Sequence, residues 1–467
     1  MADRALPPPL AVVTSLGIRL DPQTPRALAV GAGTCLPVSG SVEARHGRLP
    51  PTLLLDGEAH PTVSTGTAPG GAGGQAIGFA GLVPVPPVSE ARTAVLTLEL
   101  GRDPRPVRET VARIALAPDV PRPDSPTPRA IGDGPVVAIC MATFDPDPTL
   151  LERQIASLRD QTHGAWMCVI SDGGSSEARL RDLRSLTADD PRFAISCSAE
   201  RLGFYRNFER ALAMTPREAG FVALADQDDR WHRDKLATLV GGLGDARLVY
   251  SDMRVTDVTG HTMSDTFWSG RRNNYTNLAS LLLTNTVTGA ASLFRRELLE
   301  LVLPFPPQVG RAFHDQWIAS VALATGSMAY VDRPLYDYVQ HGSASLGHAA
   351  ALRDYAPLRL LRWRDPRRTA WDIAAHGRRS YMTNALRVAL AARTLELRIA
   401  GRVTADKARA IRRVGRLATA SEPFAWLAAR SLRRLGGRNE TMGIELSLLA
   451  ALGWRRLAAA SARRRER

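Results

Sequence analysis

The sequence has few cysteines and no long hydrophobic run. Its four cysteines, Cys35, Cys140, Cys168 and Cys197, form no CxxC pair, and no histidine cluster has zinc-ligand spacing. A disulfide framework and a structural zinc site are therefore excluded, and we expect four reduced, packed thiols in a cytosolic protein. No stretch of about 18 apolar residues occurs, and residues 1–10 lack the regions of a signal peptide, so neither a transmembrane helix nor a secretory leader is expected.

Two nucleotide-binding signatures are also missing. Neither GxGxxG nor GxxxxGK[ST] occurs, which disfavours dinucleotide and P-loop chemistry. The net charge is +14, but residues 359–467 hold 26 Lys and Arg against 8 Asp and Glu, so the preceding residues sum to −4. Because this basic end carries no recognisable nucleic-acid motif, we expect no nucleic-acid partner.

Four segments differ in composition and periodicity. Residues 1–118 alternate short apolar stretches with turn residues, which predicts an all-β, sandwich-like accessory domain. Residues 119–134 contain four prolines and two glycines and read as a linker. Residues 135–350 alternate strands with helices, which predicts a mostly parallel, covered α/β sheet. Residues 351–467 have helical periodicity and form a predicted basic α-helical domain.

The strongest local signal is the acidic run Asp226-Gln227-Asp228-Asp229, directly after the apolar strand Phe221–Ala225. Carboxylates this close repel each other unless a cation joins them, and strand ends are where open α/β sheets bind ligands. The run therefore predicts a site for Mg²⁺ or Mn²⁺ bound with a diphosphate. The alternative is an acidic loop that caps a helix starting near Trp231.

Two neighbouring strands end in polar residues. Thr143, in Ala142-Thr-Phe-Asp-Pro146, can offer a hydroxyl and backbone groups to a nucleotide, although a polar turn that starts a helix fits equally well. Asp172 is followed by two glycines, which allow close approach of a ligand. It is a candidate contact for a nucleobase or ribose, and an Asx-type turn or helix N-cap is the alternative.

Two later segments carry candidate catalytic groups. Asp315, in Phe313-His-Asp-Gln-Trp317, opens an apolar helical run and could act as a general base or as a helix N-cap. His341, before a glycine, could contact a metal or phosphate, or could be a solvated loop histidine.

These pieces, in this order, resemble family 2 glycosyltransferases of the GT-A fold, most of all bacterial rhamnosyltransferase-like members. The matches are ADQDDRWHRDKL (225–236), FHDQW (313–317) and YVQHG (338–342). The chain departs from the family pattern at three places. The family's second motif reads SDDGS, and Gly173 takes the place of its second acidic residue. Phe144-Asp145 replaces the Tyr-Asn of the family's first motif, and Val339 replaces the Arg of its YRQHG motif.

The resemblance implies a role for each matching residue. Asp315 would be the catalytic base, and a divalent cation, Mn²⁺ or Mg²⁺, would be held by Asp226, Asp228 and His341. The nucleotide-sugar donor would be bound by Thr143, Asp145, Asp172, Arg206, Asn207, Asp226 and Gln227.

The sequence therefore predicts an inverting, metal-dependent glycosyltransferase that uses a glycan or lipid-linked acceptor in cell-surface polysaccharide synthesis. A catalytically degenerate glycan-binding protein is the alternative, and a nucleotidyltransferase is disfavoured because no Gly/Lys-rich phosphate loop is present. The helical stripe Ile444, Leu448, Ala451 and Leu452, followed by arginines, suits either packing within the chain or peripheral contact with an anionic membrane. The predicted location is cytoplasmic, with this contact at the inner face of the membrane as a hypothesis.

Overall fold

A computed structural model describes most of the chain. The described residues are 16–43, 50–69, 75–101, 106–124, 127–268, 271–341, 374–420, 422–433 and 440–464. The predicted boundary near residue 350 lies outside them, as does part of the predicted linker, so the four-domain division stays a prediction.

The N-terminal region consists of two β-sheets that share one apolar core. One sheet has the strand order β1-β3-β7-β6 and the other β2-β9-β8-β4-β5. Along β8, Leu96, Leu98 and Leu100 are buried, while the residues between them are partly exposed. This alternation is typical of a strand that has one face covered by the core. The strands are β1 (Arg19–Leu20), β2 (Ala27–Ala29), β3 (Thr34–Glu43), β4 (Thr52–Leu55), β5 (Glu58–Pro61), β6 (Val63–Pro69), β7 (Gln75–Val85), β8 (Arg92–Leu100) and β9 (Val107–Ala117).

The central region is an α/β unit built on a sheet of nine strands among the described residues, in the order β12-β11-β10-β13-β17-β15-β18-β14, with β16 on β15. Its strands are β10 (Val137–Thr143), β11 (Trp166–Asp172), β12 (Phe193–Cys197), β13 (Phe221–Ala225), β14 (Arg230–Trp231), β15 (Leu248–Asp257), β16 (Thr262–Ser264), β17 (Ser292–Arg295) and β18 (Met328–Gln340). Its helices are α1 (Pro148–Arg159), α2 (Glu177–Thr187), α3 (Gly203–Ala213), α4 (Lys235–Leu243), α5 (Leu278–Leu283), α6 (Leu299–Val302) and α7 (His314–Thr325).

The sheet is mixed, and most of its paired residues belong to parallel strands, in line with the prediction; the parallel pairs include the long one between β15 and β18. Strands β12, β11, β10 and β13 are parallel, as the βα alternation indicates. However, β17 lies antiparallel between β13 and β15, and the short strand β14 runs antiparallel to β18. The sheet is mixed because β17 and β14 do not enter it through helical crossovers, which parallel neighbours require.

The C-terminal region is helical, as its periodicity predicts. Helical residues 374–380 and a π-turn (Tyr381–Ala385) lead into α8 (Leu386–Arg398), followed by α9 (Ala405–Gly415), α10 (Pro423–Ser431) and α11 (Ile444–Arg464). The stripe Ile444, Leu448, Ala451 and Leu452 is fully buried, and α11 packs on β6 and α10. The first half of α11 therefore covers apolar surface of the same chain. Membrane contact stays a prediction for its exposed end, where Leu457 is solvent-facing.

One side chain joins all three regions. Arg398, at the end of α8, is almost fully buried and donates to four backbone carbonyls. Its acceptors are Gly33 O of the β-sandwich (2.8 Å) and, in the central region, Leu301 O (2.7 Å), Val302 O (3.1 Å) and Pro304 O (2.7 Å). A guanidinium can satisfy this many acceptors because its five donors lie in a fixed plane.

Three of the four thiols are packed as expected. Cys35, Cys140 and Cys168 are buried, and burial raises the pKa of Cys140 to about 12. Cys197 is exposed because it ends the edge strand β12, so the prediction of a packed thiol is wrong there. Within the described ranges, no helix combines the length and apolar character that crossing a membrane requires.

We expect Arg398→Met to lower the free energy of unfolding by about 3–4 kcal/mol, because four buried carbonyls lose their donor. Arg402→Met removes an exposed arginine four residues away and should change the midpoint little. Urea denaturation followed by circular dichroism measures both variants. Equal midpoints for the two would show that Arg398 does not hold the regions together.

Candidate functional site

The predicted site residues meet at one edge of the central sheet. Strands β10, β11 and β13 run parallel, with Thr143 opposite Asp172 and Met141 opposite Ala225 in the register. Their carboxyl ends therefore bring together the three loops that carry Thr143, Asp172 and the acidic run beginning at Asp226. This is the edge at which open α/β sheets bind ligands.

Asp172 organises the loop that follows it. Its Oδ1 accepts from the backbone N–H groups of Gly174 (3.1 Å) and Ser175 (2.9 Å), and its Oδ2 accepts from the hydroxyls of Thr143 (3.0 Å) and Ser175 (2.5 Å). The Asx-type turn is thus present, and the carboxylate is fully buried with both oxygens engaged. Contact with a nucleobase stays a prediction.

The first loop is fixed by its neighbours. Asp145 is exposed, and its Oδ1 accepts from the N–H of Ser176 (2.8 Å). The amide of Gln227 pairs with the backbone of Phe144, accepting from its N–H (2.8 Å) and donating to its O (3.3 Å). Gln227 therefore ties the acidic run to the first loop.

Asn207 and Arg206 are separated by the structure. Asn207 is buried, donates to Thr143 O (3.0 Å) and accepts from the hydroxyl of Ser171 (2.7 Å). Arg206 donates to Glu209 (2.6 Å) and lines a groove against the β-sandwich. Asn207 supports the sheet edge from beneath, whereas Arg206 faces away from it, and their contact with a donor stays a prediction.

The acidic run does not cap a helix. Helix α4 begins at Lys235 after Asp234, and Trp231 lies in the short strand β14, so the capping alternative is wrong. Instead, Asp228 Oδ2 lies 2.8 Å from His341 Nε2, and both side chains are partly buried. His341 is therefore part of the site and not a solvated loop residue.

The carboxylates of the run strongly influence each other. Burial, reinforced by the charges of Asp228 and Asp315, raises the pKa of Asp226 to about 7. Burial and the charges of Asp226 and Asp228 raise the pKa of Asp229 well above its usual value. Asp229 Oδ2 is buried and has no hydrogen-bond partner within the described structure. The site thus concentrates negative charge that a cation would stabilise.

A buried cation lies beneath this cluster. Lys235 is fully buried, and its ammonium donates to Ala290 O (2.5 Å) and lies 3.5 Å from the ring centre of Trp231 and 4.4 Å from that of Tyr336. Burial lowers its pKa well below the usual value, while the charges of Asp229 and Asp226 act in the opposite direction. Lys235 lies in the quoted acidic motif, but its partners are distant in sequence, so sequence reasoning gave it no role.

Asp315 lies in the first turn of α7, and Phe313 occupies the N-cap position, so the N-cap alternative is wrong. Asp315 Oδ1 accepts from the N–H of Gln316 (2.6 Å), and the carboxylate also accepts from the Gly289 N–H and the Asn285 side chain. Burial outweighs these bonds and raises the pKa of Asp315 to about 7. A carboxylate whose pKa lies near neutrality is suited to accept a proton.

Gly289 and Asn285 were not predicted, because an isolated Gly and Asn give no local signal. Gly289 lies against the ring of His314, which is stacked on Phe208 with 4.0 Å between ring centres. A Cβ at position 289 would lie 2.7 Å from His314 Nε2. The absence of a side chain at Gly289 therefore lets one segment contact both His314 and Asp315.

In the part of the chain that the structure describes, no group of three or more His, Cys, Asp or Glu side chains is arranged to hold a metal ion. A metal site at Asp226, Asp228 and His341 therefore stays a prediction, which the spacing and the donor atoms of these residues allow. Two ligand atoms bound side by side on Mg²⁺ at about 2.1 Å are roughly 3 Å apart, close to the 2.8 Å between Asp228 Oδ2 and His341 Nε2. The carboxylate of Asp226, which interacts electrostatically with that of Asp228, adds oxygen atoms of the kind that Mg²⁺ and Mn²⁺ prefer.

Comparison with known proteins identifies the central segment. Residues 138–303 match the family model described as Glycosyl transferase family 2. The match covers the strand-end loops, the acidic run and Gly289, and ends before Asp315 and His341. Residues 138–303 of the central α/β region are therefore similar to family 2 glycosyltransferases; the resemblance to rhamnosyltransferases is not tested by this match.

Other relatives are more distant. The "Uncharacterized protein y4gI" of Sinorhizobium fredii is 30% identical over 128 residues, which are 27% of this chain and only 14% of that protein's length. S. aureus TarS 1-349 in complex with UDP-GlcNAc is 14% identical, with 71% of this chain and 92% of that chain covered and a TM-score of 0.41. The mannosyltransferase PcManGT from Pyrobaculum calidifontis, in complex with GDP-Man and Mn²⁺, is 19% identical, with coverages of 70% and 88% and a TM-score of 0.36. These TM-scores are too low to support a structural conclusion.

We expect Gly289→Ala to lower the free energy of unfolding by about 1–3 kcal/mol, because the new methyl group would press on a histidine that Phe208 holds in place. Gly241→Ala is the matched control: Gly241 is an exposed residue of α4 with open space around it, and alanine there should be neutral or stabilise by up to about 1 kcal/mol. Thermal unfolding of both variants measures the difference. A loss no larger in Gly289→Ala than in the control would contradict the close packing.

Proposed function

We propose that this chain transfers a sugar from a nucleotide-diphosphate sugar to a hydroxyl group of a glycan or lipid-linked acceptor, with inversion at the anomeric carbon. The observation that carries the proposal is the convergence of Asp226, Asp228, Asp315 and His341, four side chains from three separate segments of the central region, the first of which lies in the part similar to family 2 glycosyltransferases. A degenerate glycan-binding protein would have no need for this costly cluster of carboxylates.

The donor is proposed to lie across the carboxyl edge of the sheet. The loops after Thr143 and Asp172 are held rigidly by their own hydrogen bonds, so their backbone groups are preorganised for a nucleotide. The diphosphate would then lie against the acidic run. Because both the run and the diphosphate are negative, a divalent cation between them is the simplest way to hold them together.

Asp226, Asp228 and His341 are the proposed metal-holding residues. A bound Mg²⁺ or Mn²⁺ would stabilise the negative charge that develops on the departing diphosphate. The chain's own contribution is to keep the carboxylates in place, which Gln227 supports by binding the first loop.

Asp315 is the proposed base. Its carboxylate accepts the proton of the acceptor hydroxyl as that oxygen forms a bond to the anomeric carbon. The bond from this carbon to the diphosphate oxygen breaks, and its electron pair leaves with the diphosphate. A single direct displacement of this kind inverts the anomeric configuration. Asn285 and the Gly289 N–H hold the carboxylate and leave it free of a competing cationic partner.

The biological setting follows from the resemblance in the sequence. Rhamnosyltransferase-like members of the family make O-antigen, capsule and cell-wall polysaccharide, so we propose a role in cell-surface polysaccharide synthesis. A lipid-linked acceptor would be met at the inner face of the membrane, where the arginine-rich end of α11 could contact anionic lipid.

Titration calorimetry with UDP, dTDP and GDP tests the donor site. We expect one nucleotide to bind in the presence of Mn²⁺ and to lose at least tenfold in affinity with EDTA or in Asp228→Asn, because the diphosphate then faces the acidic run directly. Asp245→Asn, which alters an exposed carboxylate beyond α4, should bind like the wild type. Metal-independent binding would remove the metal from the proposal, and no binding of any nucleotide would favour a degenerate glycan-binding protein.

Asp315→Asn tests the base. It should reduce transfer by about 10²- to 10⁴-fold while nucleotide affinity stays within about twofold, because the amide keeps the shape but cannot take a proton. For the wild type, kcat/KM should rise as pH increases through about 7, since the raised pKa of Asp315 leaves it protonated and inactive at lower pH. Saturating Mg²⁺ keeps Asp226 ionised during this measurement. Near-normal turnover of Asp315→Asn would show that another group is the base.

A further inference from the structure

Phe204 is exposed in an unusual place. Its side chain is 39% exposed, and among the described residues it is the only aromatic side chain with such exposure. It follows Gly203, whose φ of +69° lets the chain turn sharply into α3. Isolated exposed apolar residues are common on protein surfaces, so exposure alone says little. Phe204 differs from such isolated residues because it packs against other aromatic rings.

Phe204 belongs to a ladder of four rings. Phe204 and Phe208 are one helical turn apart on α3, and they pack against Phe313 and His314 at the start of α7. In the buried rung, Phe208 and His314 are stacked with 4.0 Å between ring centres. In the outer rung, Phe204 and Phe313 are 6.0 Å apart and inclined by 32°. The buried rung fixes the outer one, which forms a rigid, half-exposed aromatic wall.

Phe313 of this wall and the proposed base both belong to the start of α7. Asp315 follows the two α7 rings directly in sequence, and Gly289 contacts both His314 and Asp315. The ring nitrogens of His314 are buried and have no hydrogen-bond partner in the described structure, and burial lowers the pKa of His314 to about 3. The ring is therefore neutral, and it adds no positive charge that would compete for the carboxylate of Asp315.

We propose that Phe204 and Phe313 form the acceptor subsite, where they stack on the apolar face of a pyranose ring and present one of its hydroxyls to Asp315. The inference rests on the proposed glycosyl transfer. A pyranose with several C–H groups on one face offers an apolar surface about the size of an aromatic ring. Aromatic rings bind such a face through dispersion and weak C–H contacts, while the hydroxyls at the rim remain free for hydrogen bonds.

The rigidity of the wall suits a specificity-determining role. Because Phe204 has few rotatable bonds and its helix is held by the buried rung, little entropy is lost when a sugar stacks on it. The loop between Pro306 and Phe313 leads from the wall to a cavity of about 690 Å³ that is lined in part by Gln308, Val309 and Trp454. An acceptor longer than one sugar would have room in that direction.

The test uses simple acceptor probes and the full chain. Saturation-transfer difference NMR is recorded with the methyl glycosides of glucose, galactose and rhamnose, in the presence of Mg²⁺ and the nucleotide that the wild type binds. We expect signals on the C–H protons of one ring face for at least one probe. Phe204→Ala should weaken that binding about five- to tenfold, and Phe204→Trp should retain it. Val107→Ala, which truncates an exposed apolar residue of the β-sandwich, is the matched control and should bind like the wild type.

Donor hydrolysis separates this inference from the function on which it rests. Transfer of the donor sugar to water does not use the acceptor wall, so nucleotide affinity and hydrolysis of the wild type report the transferase function separately from sugar binding. Unchanged sugar binding in Phe204→Ala, or nucleotide binding with no binding of any probe to the wild type, would overturn the subsite alone. Absence of both nucleotide binding and hydrolysis in the wild type would overturn the proposed transferase function, and the subsite with it.

Discussion

Electrostatic repulsion at the end of β13 is the constraint on which the rest of the site depends. Asp226, Asp228 and Asp229 crowd together there, and burial, reinforced by their mutual repulsion, raises the pKa values of Asp226 and Asp229. The buried amine of Lys235, held by Ala290 O and two aromatic rings, lies beneath them. Burial lowers its pKa well below the usual value, so its charge offsets only part of the repulsion among the three carboxylates. The remaining negative charge is what the proposed divalent cation would neutralise, so the imbalance that costs stability would also provide the affinity for that cation.

Asp315, the proposed base, is held by parts of the chain that lie far from it in sequence. Gln316, next to Asp315, accepts from Arg387 of α8 (2.6 Å) and donates to Leu281 O (2.9 Å), so the first turn of α7 is fixed between two helices. Trp317 donates to Val302 O (2.8 Å), a carbonyl that also accepts from Arg398. Because Arg398 binds Gly33 O as well, the β-sandwich and the C-terminal helices form one scaffold behind the catalytic helix. The segment that matches the family, residues 138–303, therefore lacks both Asp315 and some of the residues that hold it.

The local parts of this arrangement could be predicted from the sequence, and the non-local parts could not. Asp172 and Asp226 follow apolar strands, and parallel strands place their carboxyl ends at one edge, so their proximity follows from the strand pattern. The antiparallel entry of β17 has no such signature, and the segment that leads into it carries Asn285 and Gly289. Lys235 resembles any helical lysine until the fold places Tyr336, about a hundred residues later, against it. When the role of a residue depends on partners from distant segments, that role cannot be recognised in a single sequence.

The proposed donor site consists of local motifs that the sequence shows, whereas the proposed acceptor site depends on non-local packing that it does not show. The donor edge is built from strand ends, and each of its motifs is a short continuous stretch, which is why the chemistry of transfer is readable. The proposed acceptor wall is built across two helices, α3 and α7, and its rings meet only in the folded chain. An exchange of Phe204 or Phe313 would alter the acceptor surface without touching any donor motif. Acceptor preference can therefore change while the reaction stays the same, and it has to be read from the packing of α3 against α7.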